Sequence, residues 1–125
     1  MVELVESRVA LADLAEIICG YRYRFVDERD LQDGIEQALR ARSIDYCREK
    51  ALSAPDRPDF LVDGIAVEVK VKGSLADLLR QIGRYASHDA VRGILVVGTT
   101  VWVPKVPGAL FGKPVEARRL VSSLL

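Results

Sequence analysis

The chain's 125 residues are half apolar and 29% charged, which suits one folded domain and excludes a disordered or low-complexity chain. Lys and Arg total 18, as do Asp and Glu, so no global positive field exists and any binding to a polyanion must rest on a local patch. Cys19 and Cys47 stand outside any CxxC or Cys/His pattern, which excludes a disulfide framework and a four-cysteine centre. No apolar run approaches a membrane span, and Glu3 and Glu6 occupy the place of a signal peptide's basic segment. Residues 1–125 are therefore expected to form a single soluble, cytoplasmic domain.

Residues 2–19 carry Leu4, Val5, Val9, Leu11, Ala12, Ala15 and Ile17 at a broadly helical period, with Gly20 to end the segment. A second helix follows, capped by Asp27 or Asp30 and striped by Leu31, Ile35, Ala38 and Leu39; Gly34 weakens it. Residues 43–52 read as a first strand of fair alternation. A proline-bounded turn, 54–58, leads into Asp59-Phe-Leu-Val, then Asp63-Gly64, then Ile-Ala-Val-Glu-Val-Lys-Val-Lys72. Asp-Gly between alternating apolar runs favours a two-residue type I′ turn, so this stretch reads as a β-hairpin. Ser74, with Asp77 three residues on, opens a helix bearing Leu75, Leu78, Leu79, Ile82 and Ala86. The apolar run 94–97 reads as a strand inside a parallel sheet, 99–107 as turn or edge strand, and 115–125 as a last strand or helix.

The hairpin register places Asp59 directly opposite Glu68. Carboxylates at cross-strand spacing repel unless a cation or proton compensates them, and a divalent cation does so naturally. Lys70, two residues beyond Glu68, shares its face, while Ile65, Val67, Val69 and Val71 point the other way with Phe60 and Val62. Hard oxygen ligands for magnesium or manganese beside an ammonium group are what phosphodiester hydrolysis needs. The plain alternative is a solvated face of an amphipathic strand, with Asp59 as a turn residue. Three coincident constraints weigh against it: acid register, lysine spacing and the helix immediately downstream. Lys70, Lys72, Arg80 and Arg84 face Asp77 alone within one stretch, which makes Lys72, Arg80 and Arg84 candidate phosphate contacts or an ordinary solvated face. His88 reads as a capping or surface group, and Trp102 as packing or a dimer contact.

Pro58-Asp59 followed by Glu68-Val69-Lys70 resembles the two halves of the PD-(D/E)XK nuclease motif. That resemblance implies a restriction-endonuclease-like αβββαβ core, a mixed central sheet flanked by helices, over about residues 27–97, with the first helix and the C-terminus as additions. It also implies magnesium- or manganese-dependent DNA cleavage. By it, Asp59, Glu68 and the Val69 backbone carbonyl are metal ligands and Lys70 is the catalytic lysine. Gln81-Ile-Gly-Arg-Tyr85 is similar to the QxxxY motif of the RecB-like branch, and Gln81 and Tyr85 share a helix face. The family often adds an acid from its first core helix; Glu36 is the best candidate, with Asp33 competing. No cysteine quartet is present, so no iron–sulfur cluster is expected.

The expected substrate is DNA in repair, recombination or replication, either single-stranded ends or a branched duplex as for Holliday junction resolvases. A domain this small has little surface for gripping DNA, so a homodimer or a larger replication or recombination partner is expected. The rival reading is a catalytically silent nucleic-acid-binding or interaction domain of the same fold.

Overall fold

A computed structural model describes residues 8–120. Helix α1 (Leu11–Cys19) and helix α2 (Glu28–Ala41) precede three strands: β1 (Cys47–Arg48), β2 (Phe60–Val62) and β3 (Ile65–Lys70). Helix α3 (Leu75–Ala86) connects to β4 (Gly93–Gly98), and a 3-10 turn (Val103–Lys105) leads to β5 (Ala109–Leu110) and β6 (Lys113–Arg119). The expected helix start at residue 2 and the segment 121–125 lie outside the described residues. Among the described residues, no helix is long and apolar enough to cross a membrane.

The strands form one mixed six-stranded sheet in the order β1-β2-β3-β4-β6-β5. β3, β4 and β6 run parallel, β1 and β2 pair antiparallel on one flank, and β5 pairs antiparallel with β6 on the other. The β2–β3 hairpin turns on Asp63 and Gly64, at φ +47° and +80°, the left-handed pair that a type I′ turn requires. The alternation of the sequence sorts side chains between two cores. Phe60, Val62, Ile65, Val67 and Val69 pack with α1 and α2, whereas Ala66, Ile94 and Val96 pack under Leu78, Ile82, Tyr85 and Ala86 of α3. The result is an α/β fold with helices on both faces, in which β4 lies fully buried between β3 and β6.

Capping fixes where the two helices flanking the hairpin begin. Asp27 accepts from the Asp30 N–H at 2.8 Å and Ser74 from the Asp77 N–H at 3.1 Å, so Asp27, not Asp30, caps α2. The strand expected over residues 43–52 shrinks to Cys47–Arg48. Ser43 and Glu49 take positive φ, and the N–H groups of Ser43 and Ile44 return to Arg40 and Leu39 to close the end of α2. The C-terminal segment is a strand where it is described, and it adds a parallel neighbour to β4 beyond the expected core.

Candidate active site

The observed hairpin register pairs Phe60 with Val67 and Val62 with Ile65; one step further from the turn it sets Asp59 opposite Glu68. Glu68 is 3% exposed, directed into the α3 layer. There its Oε1 lies 3.0 Å from the Tyr85 hydroxyl, and its Oε2 lies 3.3 Å from Lys70 Nζ. Burial, then the nearby charge of Asp59, pushes the Glu68 carboxyl well above the ordinary range. Asp59 is displaced the same way, first by burial and further by the charges of Glu28 and Glu49. The charge of Lys70 opposes both displacements, drawing the two carboxyls back toward the ionised form.

Asp59 does not continue the ladder of β2. Its Oδ2 instead accepts the Val69 N–H at 2.7 Å, and Glu28 Oε1, from the first turn of α2, accepts the Val71 N–H at 3.0 Å. In an extended strand a residue's N–H and C=O point to the same side, so the Val69 carbonyl emerges on this edge between the two carboxylate-bound N–H groups. Carrying the register onward sets Pro58 opposite Val69, and proline has no N–H to donate to that carbonyl. The same proline that ends β2 therefore leaves a backbone oxygen unclaimed between two acids.

Helix α3 grips the segment that delivers Asp59. The buried Asp56 carboxylate accepts from Arg84 Nε at 2.9 Å and lies 2.8 Å from His88 Nε2, while the Arg57 carbonyl lies 3.1 Å from the Tyr85 hydroxyl. The hydrogen bonds from His88 and Arg84 hold the Asp56 carboxyl below the usual range. The backbone of Asp56 also accepts the Leu52 N–H. Arg84 and Tyr85 lie in the last turn of α3 and His88 just beyond its Ser87 cap, so the C-terminal end of one helix fixes both this segment and Glu68.

The remaining sequence candidates are distributed unevenly. Asp59, Glu68, Lys70, the Val69 backbone and Tyr85 come together, and Gln81 is half-buried one turn from Tyr85. Glu36 is not brought to them. It accepts from Tyr46 at 2.8 Å and pairs with Arg48 at 3.3 Å, and its competitor Asp33 pairs with Arg48 at 2.7 Å. The acid that α2 contributes is Glu28, about 12 Å along the axis from Glu36 at 1.5 Å per residue. Following a capping Asp27, Glu28 looks like an acid placed for the helix dipole, and only tertiary packing reveals its second role. Of the expected phosphate contacts, Lys72 is exposed and makes no ion pair among the described residues, whereas Arg84 is engaged by Asp56 and Arg80 by Asp77. His88, read from sequence as a capping or surface group, belongs to the Asp56 clamp.

Among the described residues no three Asp, Glu, His or Cys side chains form a group that would hold a metal by themselves. A magnesium-type ion does not need such a cage: it uses one or two carboxylates and completes its shell with water and substrate oxygens. Asp59, Glu68 and the Val69 carbonyl fit that requirement, since the negative excess at the pair calls for a cation and the carbonyl lacks a strand partner. No family model matches the chain, and no curated protein or solved structure matches it either.

Proposed function

We propose that this chain is a divalent-metal-dependent deoxyribonuclease of the PD-(D/E)XK type, hydrolysing phosphodiester bonds of single-stranded or branched DNA. The observation that carries the reading is the opposition of a buried acid, Glu68, to a half-buried one, Asp59, with the Lys70 ammonium 3.3 Å from Glu68 at the open end of one hairpin. The element order α2-β1-β2-β3-α3-β4 supports a restriction-endonuclease-like core, with α1 and the β5–β6 pair added to it.

Asp59, Glu68 and the Val69 carbonyl would hold magnesium or manganese, and Glu28 takes the position of the helix acid. Bound there, the ion supplies positive charge to the phosphate and a water of lowered pKa. The chain's own groups do the rest. Lys70 donates toward the attacking water and offsets the negative charge that builds on the phosphoryl oxygens. Tyr85 restrains Glu68, and the Asp56 clamp fixes the backbone from which Asp59 projects, so that the reacting groups are held before substrate arrives. Attack is by water in line with the leaving oxygen, and no side chain forms a covalent bond to substrate. A homodimer would let two such centres address both strands of a branched duplex.

The test is cleavage of labelled single-stranded, duplex and four-way-junction DNA in magnesium, manganese or EDTA, with Asp59→Ala and Lys70→Ala alongside wild type. Cleavage that needs metal and is lost in both variants supports the reading and ranks the substrates. Folded wild-type protein that neither cuts nor gains thermal stability from manganese would replace it with the silent binding module.

A further inference from the structure

Resting on the nuclease reading, we infer that DNA is held by a collar of four unpaired cations around the carboxylate centre, namely Arg29, Lys50, Arg57 and Lys72. The inference comes from where the protein does and does not neutralise its own charges. Arg40, Arg48, Arg80, Arg84, Arg92 and Arg118 all have carboxylate partners. Among the described residues Arg29, Lys50, Arg57 and Lys72 are exposed and make no ion pair; Arg8, Arg22, Arg24, Arg42, Lys105 and Arg119 share that state, and what sets the four apart is that their chain neighbours build the centre.

Their places in the chain are not scattered. Arg29 follows Glu28, the acid bound to the Val71 N–H. Lys50 follows Glu49, whose N–H donates to the Asp59 carbonyl at 3.0 Å. Arg57 lies two residues before Asp59, its carbonyl within reach of the Tyr85 hydroxyl. Lys72 follows Val71 at the end of the strand carrying Glu68 and Lys70. Each is thus tied through the backbone to a different element of the centre: α2, the segment after β1, the segment before β2, and the end of β3. Exposed cations left without acids around a buried anionic centre match a polyanion whose phosphates cross that centre, with contacts to the strands on either side of the cut. This is the local patch that a chain of zero net charge needs; Arg80 and Arg84 each already give a guanidinium N–H to a carboxylate and stand outside it.

Arg42 provides the internal control. It is also exposed and makes no ion pair among the described residues, but it caps the opposite end of α2 from Glu28. Binding of a fluorescent single-stranded 20-mer is measured by anisotropy in EDTA, so that cleavage plays no part. Arg57→Glu/Lys72→Glu and Arg29→Glu/Lys50→Glu should each weaken binding at least tenfold and lower the slope of log K against log salt by about 0.7 per lost phosphate contact. Arg42→Glu should bind as wild type, and all variants should keep the manganese-induced rise in Tm, which reports an intact centre. The collar is overturned if wild type does not bind, if both paired variants bind as wild type, or if Arg42→Glu weakens binding as much as they do. Binding that depends on the collar in a protein that never cuts would instead overturn the nuclease reading alone.

Discussion

The Tyr85 hydroxyl stands 3.0 Å from Glu68 Oε1 and has a second acceptor, the Arg57 carbonyl, at 3.1 Å. One proton cannot serve both. An ionised Glu68 draws the proton to itself, whereas a protonated Glu68 donates to the phenol and frees it for Arg57. Tyr85→Phe keeps the buried ring but strands the carboxylate, at a cost of about 1 to 2 kcal/mol. Because the Tyr85 hydrogen bond lowers the pKa of Glu68, its loss pushes that pKa further up. The variant should need a higher pH for the same manganese-induced rise in Tm, a shift that differential scanning fluorimetry reads directly; an unmoved pH dependence would remove Tyr85 from the centre.

Stability without metal should fall as pH rises. Burial and neighbouring carboxylates place Asp59 and Glu68 above the ordinary carboxyl range, Glu68 furthest at about 8. The folded protein therefore keeps protons that the unfolded chain releases near pH 4. Their contribution is whole below that pH and drains away as pH climbs through the folded values. Tm in EDTA should decline between pH 5 and pH 9, Glu68→Gln should flatten the decline, and manganese should restore wild type most strongly at the alkaline end. Asp56 acts in the opposite sense: its lowered pKa gives stability that is lost in acid as pH falls below about 4. A profile in EDTA that is flat from pH 5 to 9 would contradict the account of the acid pair.

Glu28 and Glu36 separate by their response to metal. Glu28→Gln should reduce the manganese-induced rise in Tm and lower cleavage on the order of tenfold to a hundredfold, the usual effect of a group supporting a metal centre. Glu36→Gln should leave the metal response intact and lower Tm modestly, by weakening its bonds to Arg48 and Tyr46. Titrating manganese against both variants decides between them.

Breaking the Asp56 clamp should loosen the centre without touching it. Asp56→Ala leaves Arg84 and His88 facing an empty position and frees the segment that carries Pro58 and Asp59. A fall in Tm of roughly 5 °C or more is expected, together with weaker manganese stabilisation. Asp56→Asn, which keeps one hydrogen bond, should recover part of both. If Asp56→Ala lowers Tm but leaves the manganese response unchanged, the clamp serves stability alone.

Much of this centre was legible because it depends on local rules. The Asp-Gly turn set the register, the register opposed Asp59 to Glu68, and two-residue periodicity put Lys70 on their face; the Ser74 cap and the stripe of α3 then located Tyr85. What escaped depends on distant packing. Glu28 and Glu36 lie on the same helix, and only the angle at which α2 crosses the sheet decides which acid reaches the end of β3. Asp56 looks like a turn residue between two prolines until α3 folds over it. The strand expected over residues 43–52 was overestimated because alternation cannot report the positive φ values at Ser43 and Glu49.

Pro58 has a consequence for the evolution of activity in such a hairpin. A ladder closed by one more backbone pair would bury its last carbonyl in a hydrogen bond and gain order, yet would have no main-chain oxygen to offer an ion. Pro58→Ala restores the missing donor and should shift the balance in that direction: Tm in EDTA maintained or raised, affinity for manganese lowered. The proposed ion site lies where the sheet stops short of completing itself, so that secondary structure and the proposed chemistry would compete for the same atom.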